Sequence, residues 1–216
     1  MEKVKLGSRG LFLDLDGTLA DSLGGLRRVY FRFLEEFGLD GSDTEFDELN
    51  GPKVTEIVSI LRTRHKLPGE ENDLVLTYNR LIDEAYTEVL PLPGAMELLE
   101  NASRRGWTLS LVTSNLRLRA ENWIARNGFS SLLQSIVSGD EVRRGKPFPD
   151  LYTVAISRSA CLPADSIAVE DSLPGAQAAS AAGLRTFVIR SPIESAVIWP
   201  EKTEFIHQWK DLLNWV

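Results

Sequence analysis

The chain has 216 residues, 43% of them hydrophobic and 25% charged, a composition that supports a buried core and excludes an intrinsically disordered chain. That length fits one domain plus a smaller module. A formal charge of −7 and a pI near 5.0 argue against a nucleic-acid groove or an anionic membrane surface as partner, but not against a small phosphorylated substrate held by a few local cations. The first predicted element is a strand over about residues 9–15, whose run Gly10-Leu11-Phe12-Leu13 stops at Asp14 and Asp16. Spacing of i, i+2 puts both carboxylates on one side of an extended backbone, and Gly17 permits a sharp turn after them. Two acids this close repel unless a cation sits between them, and Mg²⁺ held by carboxylates and substrate phosphate oxygens is the natural filler. The competing reading of Asp16-Gly17 is a hairpin turn.

Asp21-Ser22 reads as an N-cap before a helix carrying Leu26, Val29, Tyr30, Phe33, Leu34 and Phe37, ended by Gly38. A second helix carries Val54, Ile57, Val58 and Leu61, and a third runs from about Asp73 to Leu90. Residues 22–88 contain no strand candidate and are too long for one crossover, so they are expected to form a small helical module. Residues 1–21 and 89–216 are expected to form the α/β core domain around it. From Leu92 the pattern alternates: helix 95–103, strand 107–113, helix 116–126, strand 135–137, helix 148–160, strand 166–169, helix 174–182 and strand 186–189. Phe205, Trp209, Leu212, Leu213 and Val216 predict a terminal helix packed on the sheet. The expected fold class is therefore α/β, a Rossmann-like parallel sheet flanked by helices with an inserted all-helical module.

Cys161 has no partner for an intrachain disulfide; it reads as an inert buried thiol and fits a reducing, cytoplasmic compartment. No apolar run reaches membrane-spanning length, and no signal-peptide core precedes Asp14. His65 and His207 are far apart, so neither a histidine metal site nor a Ser-His-Asp triad is expected. Polar groups collect instead at four strand or loop ends. Asp14 and Asp16 are the first. Thr113-Ser114-Asn115 could cradle a phosphate at a helix start or simply cap the helix. Lys146, between Gly145 and Pro147, could offer a point charge to phosphate or be a solvated surface lysine. Glu170-Asp171-Ser172 could hold a metal or cap the helix that begins near Pro174. All four fall at the carboxyl ends of predicted parallel strands, and together they supply what phosphoryl transfer requires.

At this point the sequence resembles the haloacid dehalogenase-like hydrolase superfamily, over nearly the whole chain and in all four motifs. Asp14-Leu15-Asp16-Gly17-Thr18-Leu19 with Asp21-Ser22 is similar to its first motif, Thr113 to the second, Gly145-Lys146-Pro147 with Pro149-Asp150 to the third, and Glu170-Asp171-Ser172 with Gly175 to the fourth. Within it the chain looks like the phosphoglycolate phosphatase / β-phosphoglucomutase branch, where a helical cap is inserted between the first two motifs. The resemblance implies that Asp14 is the nucleophile and Asp16 the general acid and then base. It implies that Thr113, Ser114, Asn115 and Lys146 bind the substrate phosphate, and that Asp14, the Asp16 backbone carbonyl, Glu170 and Asp171 bind Mg²⁺. It also implies a Mg²⁺-dependent phosphatase acting on a phosphoglycolate- or sugar-phosphate-like monoester, through an aspartyl-phosphate. The alternatives are a sugar-phosphate mutase and a catalytically silent binding or regulatory member; monomer and homodimer stay equally open. The acid at Asp16 argues against dehalogenase and phosphonatase chemistry, so Lys53 reads as a solvated or substrate-phosphate lysine rather than a Schiff base. The loop Leu49-Asn50-Gly51-Pro52-Lys53 is expected either to face the active site or only to start a helix after a Gly-Pro turn.

Overall fold

A computed structural model describes residues 9–189 and 198–216. Among these, six strands form one sheet in the order β3-β2-β1-β4-β5-β6, with every neighbouring pair parallel. The strands are β1 (Gly10–Leu13), β2 (Thr108–Val112), β3 (Ser135–Val137), β4 (Ile167–Glu170), β5 (Arg185–Ile189) and β6 (Thr203–Ile206). Parallel pairing of β1 with both β2 and β4 removes the hairpin reading of Asp16-Gly17.

Every residue of β1 and β4 is buried, the continuous apolar run expected of a strand covered on both faces. The period of two then sorts their side chains. Leu11, Leu13, Leu109, Leu111 and Val169 belong to the larger core, and Phe12, Val112 and Ala168 to the second. On that second face lie α7 (Asp150–Ser159) and α8 (Leu173–Ala181), where Ala176, Ala178 and Ala179 are fully buried and let the backbone sit close. α5 (Ala95–Arg104) packs on β2, and α6 (Arg117–Arg126) buries Trp123 stacked on Phe129 with ring centroids 5.3 Å apart.

Between β1 and α5 the chain forms four helices and no sheet strand among the described residues: α1 (Leu23–Glu35), α2 (Asp43–Glu48), α3 (Val54–His65) and α4 (Glu71–Tyr86). α4 packs against α1 and α3, burying Val29, Tyr30, Phe33, Val58, Leu61, Leu74, Tyr78 and Leu81. The short α2 has no sequence signal because it buries no residue; its start is fixed by Ser42, whose hydroxyl accepts from the Glu45 amide at 3.2 Å.

The predicted terminal helix is corrected. Thr203-Glu204-Phe205-Ile206 is strand β6, in register with β5 (Thr186↔Thr203 to Ile189↔Ile206), and only Trp209–Leu212 turns, as a single 3₁₀ segment. Phe205 has helical spacing with Trp209, but a free edge of β5 offers unpaired backbone groups that a β-branched and aromatic run satisfies. Trp209, Leu212 and Val216 are still buried against their own chain, beside α5. No described helix is long and apolar enough to cross a membrane.

Candidate active site

The sheet reverses its order between β1 and β4, and the crevice beyond the carboxyl ends of those strands is where such sheets hold ligands. Asp14 follows β1, Glu170 ends β4 and Asp171 follows it. The three carboxyl groups are buried, and one oxygen of each lies within 4.8 Å of the others. Lys146 enters from the loop before α7, is itself buried, and places its Nζ 2.6 Å from Asp14 Oδ1 and 2.5 Å from Glu170 Oε1. It is a buried cation, so the solvated-lysine reading is excluded. Tyr152, from α7, donates to the same Glu170 oxygen at 2.5 Å.

One ammonium thus faces three buried carboxylates. Burial pushes the Asp14 carboxyl well above its ordinary range; Lys146 pulls the other way, but Glu170, Asp171 and Asp16 add to the rise. Asp171 is pushed up to about 7 by burial, with Glu170 adding to the rise. Burial works against the charge on Lys146, yet Asp14 and Glu170 together hold its pKa above the ordinary lysine value. The lysine stays charged while the carboxylates compete for what positive charge there is. The donor set is all oxygen and short of positive charge, which is what a hard divalent cation such as Mg²⁺ requires. Two glycines make the cluster this tight. Gly17 has φ +74°, and a Cβ there would lie 2.5 Å from Asp171 Oδ2. A Cβ on Gly175 would lie 1.9 Å from Glu170 Oε2.

The Asp16 carboxylate stands apart from that cluster. Ser22 Oγ donates to its Oδ1 at 2.7 Å, Tyr86 at the end of α4 donates to the same oxygen, and Asn115 Nδ2 donates to Oδ2 at 3.1 Å. Ser22 therefore occupies the predicted N-cap position without capping by its side chain, because its hydroxyl is committed to Asp16. Asn115 is oriented in turn by Arg119, whose guanidinium donates to Asn115 Oδ1 at 2.6 Å and to Asp83 Oδ1 at 2.7 Å. Thr113 Oγ1 accepts from the Asn115 amide at 3.0 Å, a local turn; the residue before α6 is Leu116, so Thr113 is not the helix cap. Ser172, by contrast, does cap α8, accepting from the Gly175 amide at 3.2 Å.

The helical segment closes over these groups through its 49–53 loop, so both expectations for that loop hold: it lines the site and α3 starts just after it. Asn50 Nδ2 donates to Asp171 Oδ2 at 2.7 Å, and Ser114 Oγ donates to the Gly51 carbonyl at 2.6 Å. The expectation for Lys53 is corrected. Its Nζ donates to the carbonyls of Val142 at 3.3 Å and Arg143 at 3.0 Å, because the loop before Lys146 presents outward carbonyls within its reach. It ties the start of α3 to that loop, and it does not line the cavity.

Of the sequence-predicted residues, Asp14, Asp16, Thr113, Ser114, Asn115, Lys146 and Asp171 line one cavity, and Glu170 lies fully buried beneath Lys146. Sequence reasoning missed Tyr86, Tyr152 and Arg119. The two tyrosines carry helical spacing that reads as ordinary core, and Arg119 reads as a surface charge; only the folded chain turns them inward.

A family model described as haloacid dehalogenase-like hydrolase matches residues 11–189. Hexitol phosphatase A of Escherichia coli is 30% identical over 193 residues, covering 87% of this chain and 85% of that protein. The bifunctional riboflavin kinase/FMN phosphatase of Arabidopsis thaliana is 27% identical over 203 residues, 94% of this chain, and the chain spans 54% of that protein's length. Among solved structures, CbbY from Rhodobacter sphaeroides superposes with a TM-score of 0.82 at 24% identity, covering 95% of this chain and 96% of that one.

Proposed function

The chain belongs to the haloacid dehalogenase-like hydrolase family, and from that premise we propose that it is a Mg²⁺-dependent phosphatase of a small phosphomonoester, acting through an aspartyl-phosphate on Asp14. Relatives named as phosphatases, hexitol phosphatase A among them, support hydrolysis of a phosphomonoester. The observation that carries the reading is the buried set of Asp14, Lys146, Glu170 and Asp171 at the mouth of the β1–β4 crevice. Burying these charges together is costly unless a ligand uses them.

In this reading Asp14 attacks phosphorus as the bond to the leaving oxygen breaks. Lys146 neutralises charge shared between Asp14 and the phosphoryl oxygens. Thr113, helped by backbone groups at Ser114 and Asn115, holds those oxygens. Asp16 gives its proton to the leaving alcohol and later takes one from the water that hydrolyses the aspartyl-phosphate, with Ser22, Tyr86 and Asn115 fixing its carboxylate meanwhile. Asp14, the Asp16 backbone carbonyl, Asp171 and Glu170 would hold Mg²⁺, directly or through water; bound there, it offsets the negative charge of phosphate and nucleophile. Residues 22–88 act as a cap over residues 1–21 and 89–216, and Lys53 and Ser114 latch the closed form. No nucleic acid or membrane partner enters the reading, and the buried Cys161 fits a reducing cytoplasm.

The test is phosphate release from a panel of phosphomonoesters, with and without Mg²⁺, by wild type and Asp14→Asn. Metal-dependent release that Asp14→Asn abolishes supports the mechanism. Release that survives the substitution removes Asp14 as nucleophile.

A further inference from the structure

The cap side of the cavity is built from Leu26, Phe46, Leu49, Val54, Ile57 and Ile82. The substrate phosphate belongs at the other end, beside Asp14 and Lys146, so these six side chains face whatever is esterified to it. No Lys, Arg or His of the helical segment lines the cavity among the described residues. The one lysine that reaches it, Lys146, is held by Asp14 and Glu170, and Lys53 is turned to backbone carbonyls outside it. Asn50 is bonded to Asp171. One polar group is left on the cap side. Tyr78 lines the cavity, is 5% exposed, packs edge-on against Phe33 at 5.0 Å, and makes no hydrogen bond to a described residue.

We infer that the substrate is a monophosphate of a compact, otherwise uncharged alcohol with a mainly apolar body that offers at most one hydrogen-bonding group, to Tyr78. The inference rests on the phosphatase reading of the site and narrows its substrate class. A carboxylate or second phosphate enclosed by this wall has no counter-charge, and an unpaired buried charge is strongly disfavoured. A polyol loses the water bonded to several hydroxyls and regains one partner. An aryl or alkyl body loses little and covers the apolar wall. The cavity, about 80 Å³ with the cap in this position, limits the body to a small one.

The experiment measures binding by calorimetry to Asp14→Asn protein with saturating Mg²⁺, so that turnover does not enter. The ligands are benzyl phosphate, phosphoglycolate and glucose 6-phosphate, all esters of primary alcohols, with inorganic phosphate as reference. Benzyl phosphate is expected to bind at least tenfold more tightly than the other two esters. Adding Ile57→Arg, or Val54→Lys at the more open start of α3, is expected to reverse the order for phosphoglycolate; two positions guard against one failing to fold. Adding Tyr78→Phe is expected to level any difference between benzyl phosphate and its monohydroxylated forms. Phosphoglycolate or glucose 6-phosphate binding as tightly as benzyl phosphate overturns the inference while leaving the phosphatase reading intact. Inorganic phosphate binding with no ester binding does the same. If inorganic phosphate does not bind either, the reading of the site itself fails and the inference with it.

Discussion

Replacing Lys146 by Met removes the one cation of the buried cluster and keeps the length of the side chain. Asp14 and Glu170 lose partners at 2.6 and 2.5 Å and are left facing each other and Asp171 with no protein countercharge. Removing one member of a buried ion pair costs about 3–5 kcal/mol, and here two carboxylates depend on the same lysine. At about 2–4 °C per kcal/mol for a chain of this size, the expected fall in Tm is roughly 10 °C. The loss is conditional on charge. Burial already pushes the Asp14 carboxyl well above its ordinary range, so acid that protonates it removes much of the repulsion. Urea titration of metal-free protein at about pH 5 and about pH 8 is the assay, read as the midpoint at constant m. A larger loss at the higher pH is expected, and Glu170→Gln in the Lys146→Met background should recover part of it. A loss below about 1 kcal/mol at pH 8 would match an ordinary surface pair and refute the reasoning; so would a loss of equal size at both pH values.

Three further outcomes follow from the same geometry. Gly175→Ala in α8 gains about 1 kcal/mol of helix propensity, but its Cβ would sit 1.9 Å from Glu170 Oε2, and displacing a buried carboxylate outweighs that gain; a net loss of about 2 kcal/mol is expected in thermal unfolding, and a stabilised variant would show that the contact relaxes freely. Asp171 has an ordinary pKa of 3.8 and is pushed up to about 7 by folding, so the folded chain binds its proton more tightly than the unfolded one. Metal-free protein should therefore lose stability as pH rises from about 4 through about 7, while the stabilisation given by added Mg²⁺ grows over the same range; Tm in chelator and in Mg²⁺ at several pH values checks this, and the opposite slope would remove Asp171 as the proton acceptor. Tyr86→Phe takes one donor from Asp16 and should lower kcat on alkyl phosphates about tenfold or more, with a smaller effect on p-nitrophenyl phosphate, whose leaving group needs no proton; equal losses on both would assign Tyr86 to folding alone.

The sequence by itself determined the parallel sheet up to β5 and the eight residues that gather at its crevice. Strands buried on both faces are continuous apolar runs, and in a parallel sheet their polar endings lie on one edge, so Asp14, Thr113, Lys146 and Glu170-Asp171 were readable as one site before any contact was known. Local pattern also placed α1, α3 and α4, whose apolar stripes are long. It failed at the C-terminus, where Phe205 to Val216 carry a helical period but the edge of β5 needed a partner: the backbone of a neighbouring strand decided what the local sequence left ambiguous. It also could not tell which side chains serve the acids. Tyr86 and Tyr152 are spaced like core residues, and Ser22 like a cap; all three hydroxyls point at carboxylates only because α4 and α7 end or cross at the crevice. The apolar cap wall and the turning of Lys53 away from the cavity were likewise fixed by how the helices dock, since the same residues in sequence read equally well as a module core and a free lysine. Chemistry that depends on residue type and order is written along the chain, whereas the environment that tunes it, by burial, shared protons and the faces that meet, exists only once distant segments have packed.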